Sequence, residues 1–423
     1  MPEVIERTRA RASVALDALV SLIGLRALVV AASFIGLGLL AATVLASPYK
    51  GDDLINMDIR QYGAATGQSL GQIIAHYNAF WVGDRARFFP GSLTWSYTVF
   101  WFTGSRIEYK LVLVVVLAAA ITVTTLFAWT ITRSRAVAAI VPLALIGTLQ
   151  LRGWYDGIVS FAGLVPLTIA LTIGATVIVL RSSRAVWWCV AGVLYFFALI
   201  TYETVALFAP AMVAVVVVVT RSWRRSLALA IPALVAVVIA FVLRVVVPVV
   251  NVGSAYTVSL DPRAVLTTFA KQTLGSLPLS QWWLGSAYVH PLGLGLVLQC
   301  LVIVAIPVFL AARALAYQPT AVTRGRALLL AGSGLWMWLS SAALIAVTLR
   351  WQTDLKPGDA YLAVIYGYFG LAFIASGVWA IGTSRLSAAT TPRWQRAVWA
   401  NGCAALIAVI AALTAAGNLR IVG

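Results

Sequence analysis

LVLVVVLAAAITVTTLFAWTITRSR, residues 111–135, decides the fold. Its first 22 residues carry no charge, and two arginines follow within three positions. About 20 apolar residues wound as a helix cross the hydrocarbon core of a bilayer. Working outward, comparable runs stand at 27–46, 136–151, 158–180, 185–202, 204–220, 226–249, 291–313, 327–349, 360–382 and 397–417. That predicts an all-α polytopic membrane protein of about 11 transmembrane helices. With 62% of its 423 residues hydrophobic and 10% charged, the chain could not wet its own surface as a soluble domain.

The arginines after residue 132 repeat as a theme. RSR (133–135), RSSR (181–184), RSWRR (221–225) and the connections 314–326 and 383–396 all carry arginine and no acid. Positive-inside bias makes their side cytoplasmic, together with Arg7, Arg9, Arg11 and Arg26. The N-terminus is then inside and the C-terminus outside. Ten of the 13 acidic residues fall on the opposite, external side. The net charge of +17 is thereby topogenic and lipid-facing, and no nucleic-acid partner is expected.

Residues 1–26 read as a cytoplasmic N-terminal interfacial segment with an amphipathic stretch at 13–25. The transmembrane domain fills 27–423 and includes two long external loops, 47–110 and 250–290. The first apolar run ends VLAS, like a signal-peptidase site, but near 20 residues it suits a retained span. Cys189, Cys300 and Cys403 fall inside spans as small apolar packers.

The loop 47–110 opens with SPYKGDDLINMDIR, polar and turn-rich. Leu70, Ile73, Ile74, Tyr77 and Trp81 then recur at helical spacing, and LTWSYTVFWFTG (93–104) is apolar but too short to span. Two juxtamembrane helices joined by the charged turn WVGDRARFFP (81–90) are expected, lying in or dipping into the outer leaflet.

No GxxxxGK[ST], helix-opening GxGxxG or HExxH is present, and the only histidines are His76 and His290. Nucleotide, dinucleotide and histidine-ligated zinc chemistry have no footing. An external enzyme without a nucleotide pool must receive an activated substrate, and a lipid is the natural carrier. Asp52 and Asp53 stand side by side just beyond the first span, where repulsion and desolvation raise a carboxyl pKa and suit a general base. Asp156 in RGWYDG (152–157) and Glu203 in TYET lie at the same depth, the first also reading as a turn aspartate and the second as half of an ion pair. Arg85, Arg87, Arg350 and Lys356 are candidates for a donor phosphate, since arginine's planar fork matches phosphate oxygens. Arg350 leads, ending span nine in LRWQTDLKPGDAY (349–361). Arg60, His76, Trp81, Tyr155, Asp156 and Glu203 are candidate substrate contacts. The aromatics suit sugar rings and equally an interfacial belt.

A cytoplasmic N-terminus, one span, and a long external loop opening on KGDDL (50–54) resemble the GT-C class of membrane glycosyltransferases, with GDRARFFP (83–90) and the Arg350 segment in support. The pattern is most similar to the bacterial O-antigen glucosyltransferase and cell-wall polysaccharide branches. It covers the membrane portion in topology; the soluble domain that many members carry after the last span is not seen here. The resemblance implies an inverting transferase of the bacterial plasma membrane, its active face extracytoplasmic. It would move a sugar from a polyprenyl-phosphate donor to an envelope glycan or glycolipid, with Asp52 or Asp53 as base. No cofactor is expected to be required, although a divalent metal is possible; membrane lipids are the remaining partners. The alternatives are a transporter or flippase of lipid-linked glycans, a polysaccharide polymerase or ligase, and a non-enzymatic membrane partner.

Overall fold

The computed structural model describes residues 24–85, 87–153, 155–246, 257–318, 322–386 and 392–422, and only the backbone of Asp84, Arg85, Arg244 and Arg393. The expected interfacial segment therefore lies, up to residue 23, outside the described residues. The described residues are mostly helical. α1 (Leu25–Ala46) leads into four loop helices, α2 (Asp53–Asn56), α3 (Ile59–Thr66), α4 (Leu70–Arg85) and α5 (Pro90–Phe102). There follow α6 (Arg106–Thr132), α7 (Arg135–Thr148), α8 (Leu164–Arg181), α9 (Ala185–Thr201), α10 (Ala209–Thr220) and α11 (Trp223–Val246). The second long loop contains α12 (Pro262–Gly275) and α13 (Ser280–Trp283). α14 (Leu294–Cys300) runs through a π turn into α15 (Ile306–Ala316), and α16 (Arg324–Ala346), α17 (Leu349–Asp354), α18 (Val364–Leu386) and α19 (Arg393–Val422) complete the chain.

Nine helices among the described residues are long and apolar enough to cross a membrane, counting α14–α15 as one and extending α8 and α10 by the 3₁₀ turns before them. Each of the eleven expected segments contains a helix among the described residues, but α7 and α9, at 14 and 17 residues, fall short of a full crossing. The reason for α7 is visible. Its helix stops at Thr148, and residues 149–152 continue as buried non-helical backbone, with half-buried Gly153 following. Irregular backbone at such depth needs side-chain partners. Asn418 supplies them, donating Nδ2 to the Leu149 carbonyl at 2.9 Å and accepting from the Leu151 amide at 2.6 Å. Gln281 donates to the Leu151 carbonyl at 2.7 Å and accepts from the Gly153 amide at 3.0 Å.

Two further expectations need correcting. SPYKGDDLINMDIR is not simply a turn-rich lead-in, because α2 and the start of α3 form within it. Arg350 does not end span nine. α16 stops at Ala346, and the Thr348 amide bonds back to Ile345, turning the chain into the separate short helix α17. Helices form at 70–85 and 90–102, and with α2 and α3 the loop holds four helices rather than two.

Lipid offers no hydrophobic drive for helix association, so close packing of small residues must hold the bundle. α16 and α18 are the clearest case. A Cβ added to Gly370 would lie 2.5 Å from the Gly334 carbonyl, and one on Gly377 would lie 2.7 Å from the Ala327 carbonyl. Gly370→Leu should therefore destabilise the purified protein by about 1–3 kcal/mol or more, read as a lower thermal midpoint in detergent. Gly402→Leu, with nothing within 4 Å of its Cβ, should cause no loss.

Candidate functional site

Three pieces of chain meet where α1 ends: the lead-in 47–53, the first turn of α6, and the irregular segment 155–163. Arg106 and Lys110, one turn apart on α6, do the fastening. Arg106 donates to the carbonyls of Ala46 and Ser47, each at 3.3 Å. Fully buried Lys110 donates to Pro48 O at 2.9 Å and to Val159 O. Residues 161–163 are all left-handed, with φ of 56°, 50° and 67°. For Phe161 and Ala162 this conformation costs roughly 1–2 kcal/mol each, and it leaves their amides without the usual helical partners.

Asp53 and Tyr109 take up those amides. The Phe161 N–H donates to Asp53 Oδ1 at 2.8 Å, and the Ala162 N–H donates to the Tyr109 hydroxyl at 2.9 Å. Tyr109 in turn donates to Asp53 Oδ2 at 2.6 Å, and Trp95 Nε1 closes the knot on Ala162 O at 2.7 Å. Asp53 has no exposed surface. Both its oxygens are engaged in holding the left-handed turn.

Asp52 points elsewhere. It is exposed, no hydrogen bond to its side chain is seen among the described residues, and it shares a field with Arg350. Partial withdrawal from water raises the Asp52 carboxyl, and Arg350 opposes the rise. Arg350, on α17, is held from within its own helix and from the segment 155–163: Nη2 donates to the Tyr155 hydroxyl at 3.2 Å, Nε pairs with Asp354 at 3.4 Å, and its guanidinium lies 4.8 Å from the Trp351 ring. Tyr155, itself at φ 40°, sits among Phe161, Trp351 and Tyr361, with ring centroids 6.3, 5.8 and 5.7 Å away. The two carboxylates, Arg350 and Tyr155 thus form one cluster.

The other expected residues stand apart from it. Glu203 and Arg87 make a two-pronged ion pair at 2.9 and 3.2 Å, with Arg87 also 4.7 Å from the Phe89 ring and 5.7 Å from that of Trp81. They tie the loop helices to the turn between α9 and α10. The Asp156 carboxylate accepts from the amides of Arg152, Ile158 and Val159, which makes it the organiser of its own turn. Arg60 and His76 are exposed on α3 and α4, His76 edge-on to Tyr77, and neither bonds to the cluster. Lys356 is exposed in the turn after α17. The Arg85 side chain lies outside the described residues. Among the described residues no three His, Cys, Asp or Glu side chains gather as a metal-binding group.

Sequence reasoning missed Tyr109, Lys110 and Phe161. A signal existed for Lys110, because IEYKLVL puts a lysine within one residue of an apolar run, and ionisable groups there usually have a partner or a function. Nothing in the sequence betrays Phe161.

Burial pushes the Asp53 carboxyl up to about 7, and Asp52 adds to the rise, while Tyr109, Lys110 and the Phe161 amide pull it down. The folded state therefore holds this proton more tightly than the unfolded chain, whose carboxyl sits near 3.8. Between those two values the folded state binds more protons, so the Asp53 contribution to stability is full below the lower value and falls as pH rises toward the higher one. The thermal midpoint, measured from pH 4.5 to 7.5, should fall more steeply in the wild type than in Asp53→Asn. Parallel curves would remove Asp53 as the source.

Compared with protein-family models, with curated proteins and with solved structures, the chain matches none.

Proposed function

We propose that this protein transfers a sugar from a polyprenyl-phosphate donor to a hydroxyl of an envelope glycan or glycolipid, at the membrane face that carries Asp52 and Arg350, and that this face is extracytoplasmic. The observation that carries the reading is the division of labour within the carboxylate pair. Asp53 is committed to the fold, whereas Asp52 is accessible, raised in pKa and set beside a cation. A general base works best when its pKa lies closer to the operating pH, and a phosphate leaving group needs a fixed positive charge.

In this reading the Asp52 carboxylate takes the proton of the acceptor hydroxyl as its oxygen attacks the anomeric carbon. The bond from that carbon to the phosphate oxygen breaks, and its electron pair leaves with the lipid phosphate. Arg350, held by Tyr155 and Asp354, stabilises that charge by exchanging a carboxylate contact for a phosphate one. Attack opposite the leaving group inverts the anomeric centre. The half-buried rings of Tyr155, Phe161 and Tyr361 suit a sugar face. An apolar cavity of about 430 Å³, lined by Leu266, Leu274 and Leu284, opens beside Pro357 and offers the prenyl chain a site next to Lys356.

Among the described side chains, the buried charges Asp53, Lys110, Arg152, Asp156, Arg313 and Asp359 belong to helix ends and loops. A carrier that moves its cargo through the bilayer would set some of them at mid-span. The test is transfer of labelled sugar from a polyprenyl-phosphate donor by the purified protein. Donor consumption with an inverted product supports the reading. A protein that inserts and folds but leaves a panel of such donors intact overturns it.

A further inference from the structure

At the opposite end of the bundle, α1, α6, α7, α15 and α16 converge around a cavity of about 970 Å³. Arg26, Arg133, Arg135 and Arg326 line it, and among the described residues no acidic side chain does. None of these four guanidinium groups has a hydrogen-bond or ion-pair partner among the described residues. Four cations with no such partner among the described residues repel one another around one space, and an anion relieves that strain. The rest of the wall is apolar, Val29 and Leu315 among it. Val30, which also lines the cavity, is 66% exposed on the outer face of α1, so the space opens alongside the surface that lipid covers.

From this combination we infer that the cavity is a binding site for an anionic phospholipid of the surrounding leaflet. Its phosphate sits among the four arginines and the start of its acyl chain lies against Val29 and Leu315. A soluble phosphate would satisfy the arginines but leave the apolar wall wet. A zwitterionic lipid would satisfy the wall but bring a cation into the basic cluster. Basic pockets between membrane helices recognise anionic headgroups on these grounds, each arginine near the surface adding about 1 kcal/mol, or roughly five-fold in affinity.

Arginines at helix ends also serve topology, so the test must separate a site from a charged surface. Full-length protein in neutral detergent is titrated with phosphatidylglycerol, phosphatidylcholine or inorganic phosphate, and retained lipid is counted by native mass spectrometry. One phosphatidylglycerol should be retained at least ten-fold more tightly than phosphatidylcholine, and millimolar phosphate should not displace it. The variant Arg133→Gln/Arg135→Gln/Arg326→Gln should lose that preference, roughly a hundred-fold on the same scale. Arg221→Gln/Arg224→Gln, altered at the corner of α10 and α11 outside the cavity, should keep it. Equal retention of the two lipids, displacement by inorganic phosphate, or equal loss in the control variant would each overturn the proposal. The wild-type titrations decide the matter even if the triple variant fails to fold.

Discussion

Asp52→Asn should reduce sugar transfer by about 10²–10⁴-fold, the usual worth of a positioned general base, with almost no change in the thermal midpoint. Asparagine keeps the size and removes only the ability to take a proton. The side chain is exposed and makes no hydrogen bond among the described residues, so the fold has little to lose. Asp53→Ala should behave in the opposite manner. It strands the Phe161 amide and the Tyr109 hydroxyl and leaves the buried Lys110 without its neighbouring carboxylate. Each buried donor left without its acceptor in this way costs about 1–3 kcal/mol. Its inactivity would then track lost protein, whereas that of Asp52→Asn would be found in well-folded protein. Full transfer by folded Asp52→Asn would take the base away from this carboxylate. Normal stability of Asp53→Ala would take the structural role away from the other.

Why the pair could be found in the sequence, but not divided, follows from the kind of information each step needs. Apolar length and arginine corners are local properties, so the apolar helices and loop 47–110 could be read directly, although α7 and α9 are too short for a full crossing, and KGDDL marked the point where chain leaves the first span. The roles of the two aspartates depend on residues 56 and 108 positions away, Tyr109 and Phe161, which meet Asp53 only after α6 and the segment 155–163 have packed. Left-handed backbone at a phenylalanine and an alanine has no compositional mark, because its cause is tertiary. Glu203 and Arg87, 116 residues apart, show the same limit. Each could be read as a charge near the outer helix ends, but their mutual neutralisation appears only in three dimensions. Asp156 was legible both ways, as a site acid or a turn aspartate, and three backbone amides on its carboxylate favour the turn.

Arg350→Gln should lower transfer by about 10²–10³-fold, comparable to removing one donor that stabilises a developing oxyanion. It should also leave a second mark that a merely structural arginine would not. Arg350 holds the Asp52 carboxyl down against the upward push of burial. Without that cation the carboxyl rises further, so the acid limb of the rate profile should move to higher pH. The sign is fixed: a base needed in its ionised form is lost as pH falls through its pKa, and a higher pKa means earlier loss. Arg350→Lys, which keeps the charge but not the fork, should leave the limb near its wild-type position while recovering only part of the rate. Tyr155→Phe, which removes the hydroxyl anchoring Nη2 at 3.2 Å, should cost less than either and leave the limb unmoved. Initial rates between pH 4.5 and 8 for the four proteins would decide the point. A slow Arg350→Gln enzyme whose limb coincides with the wild type would mean that Arg350 and Asp52 do not share one site in the working protein.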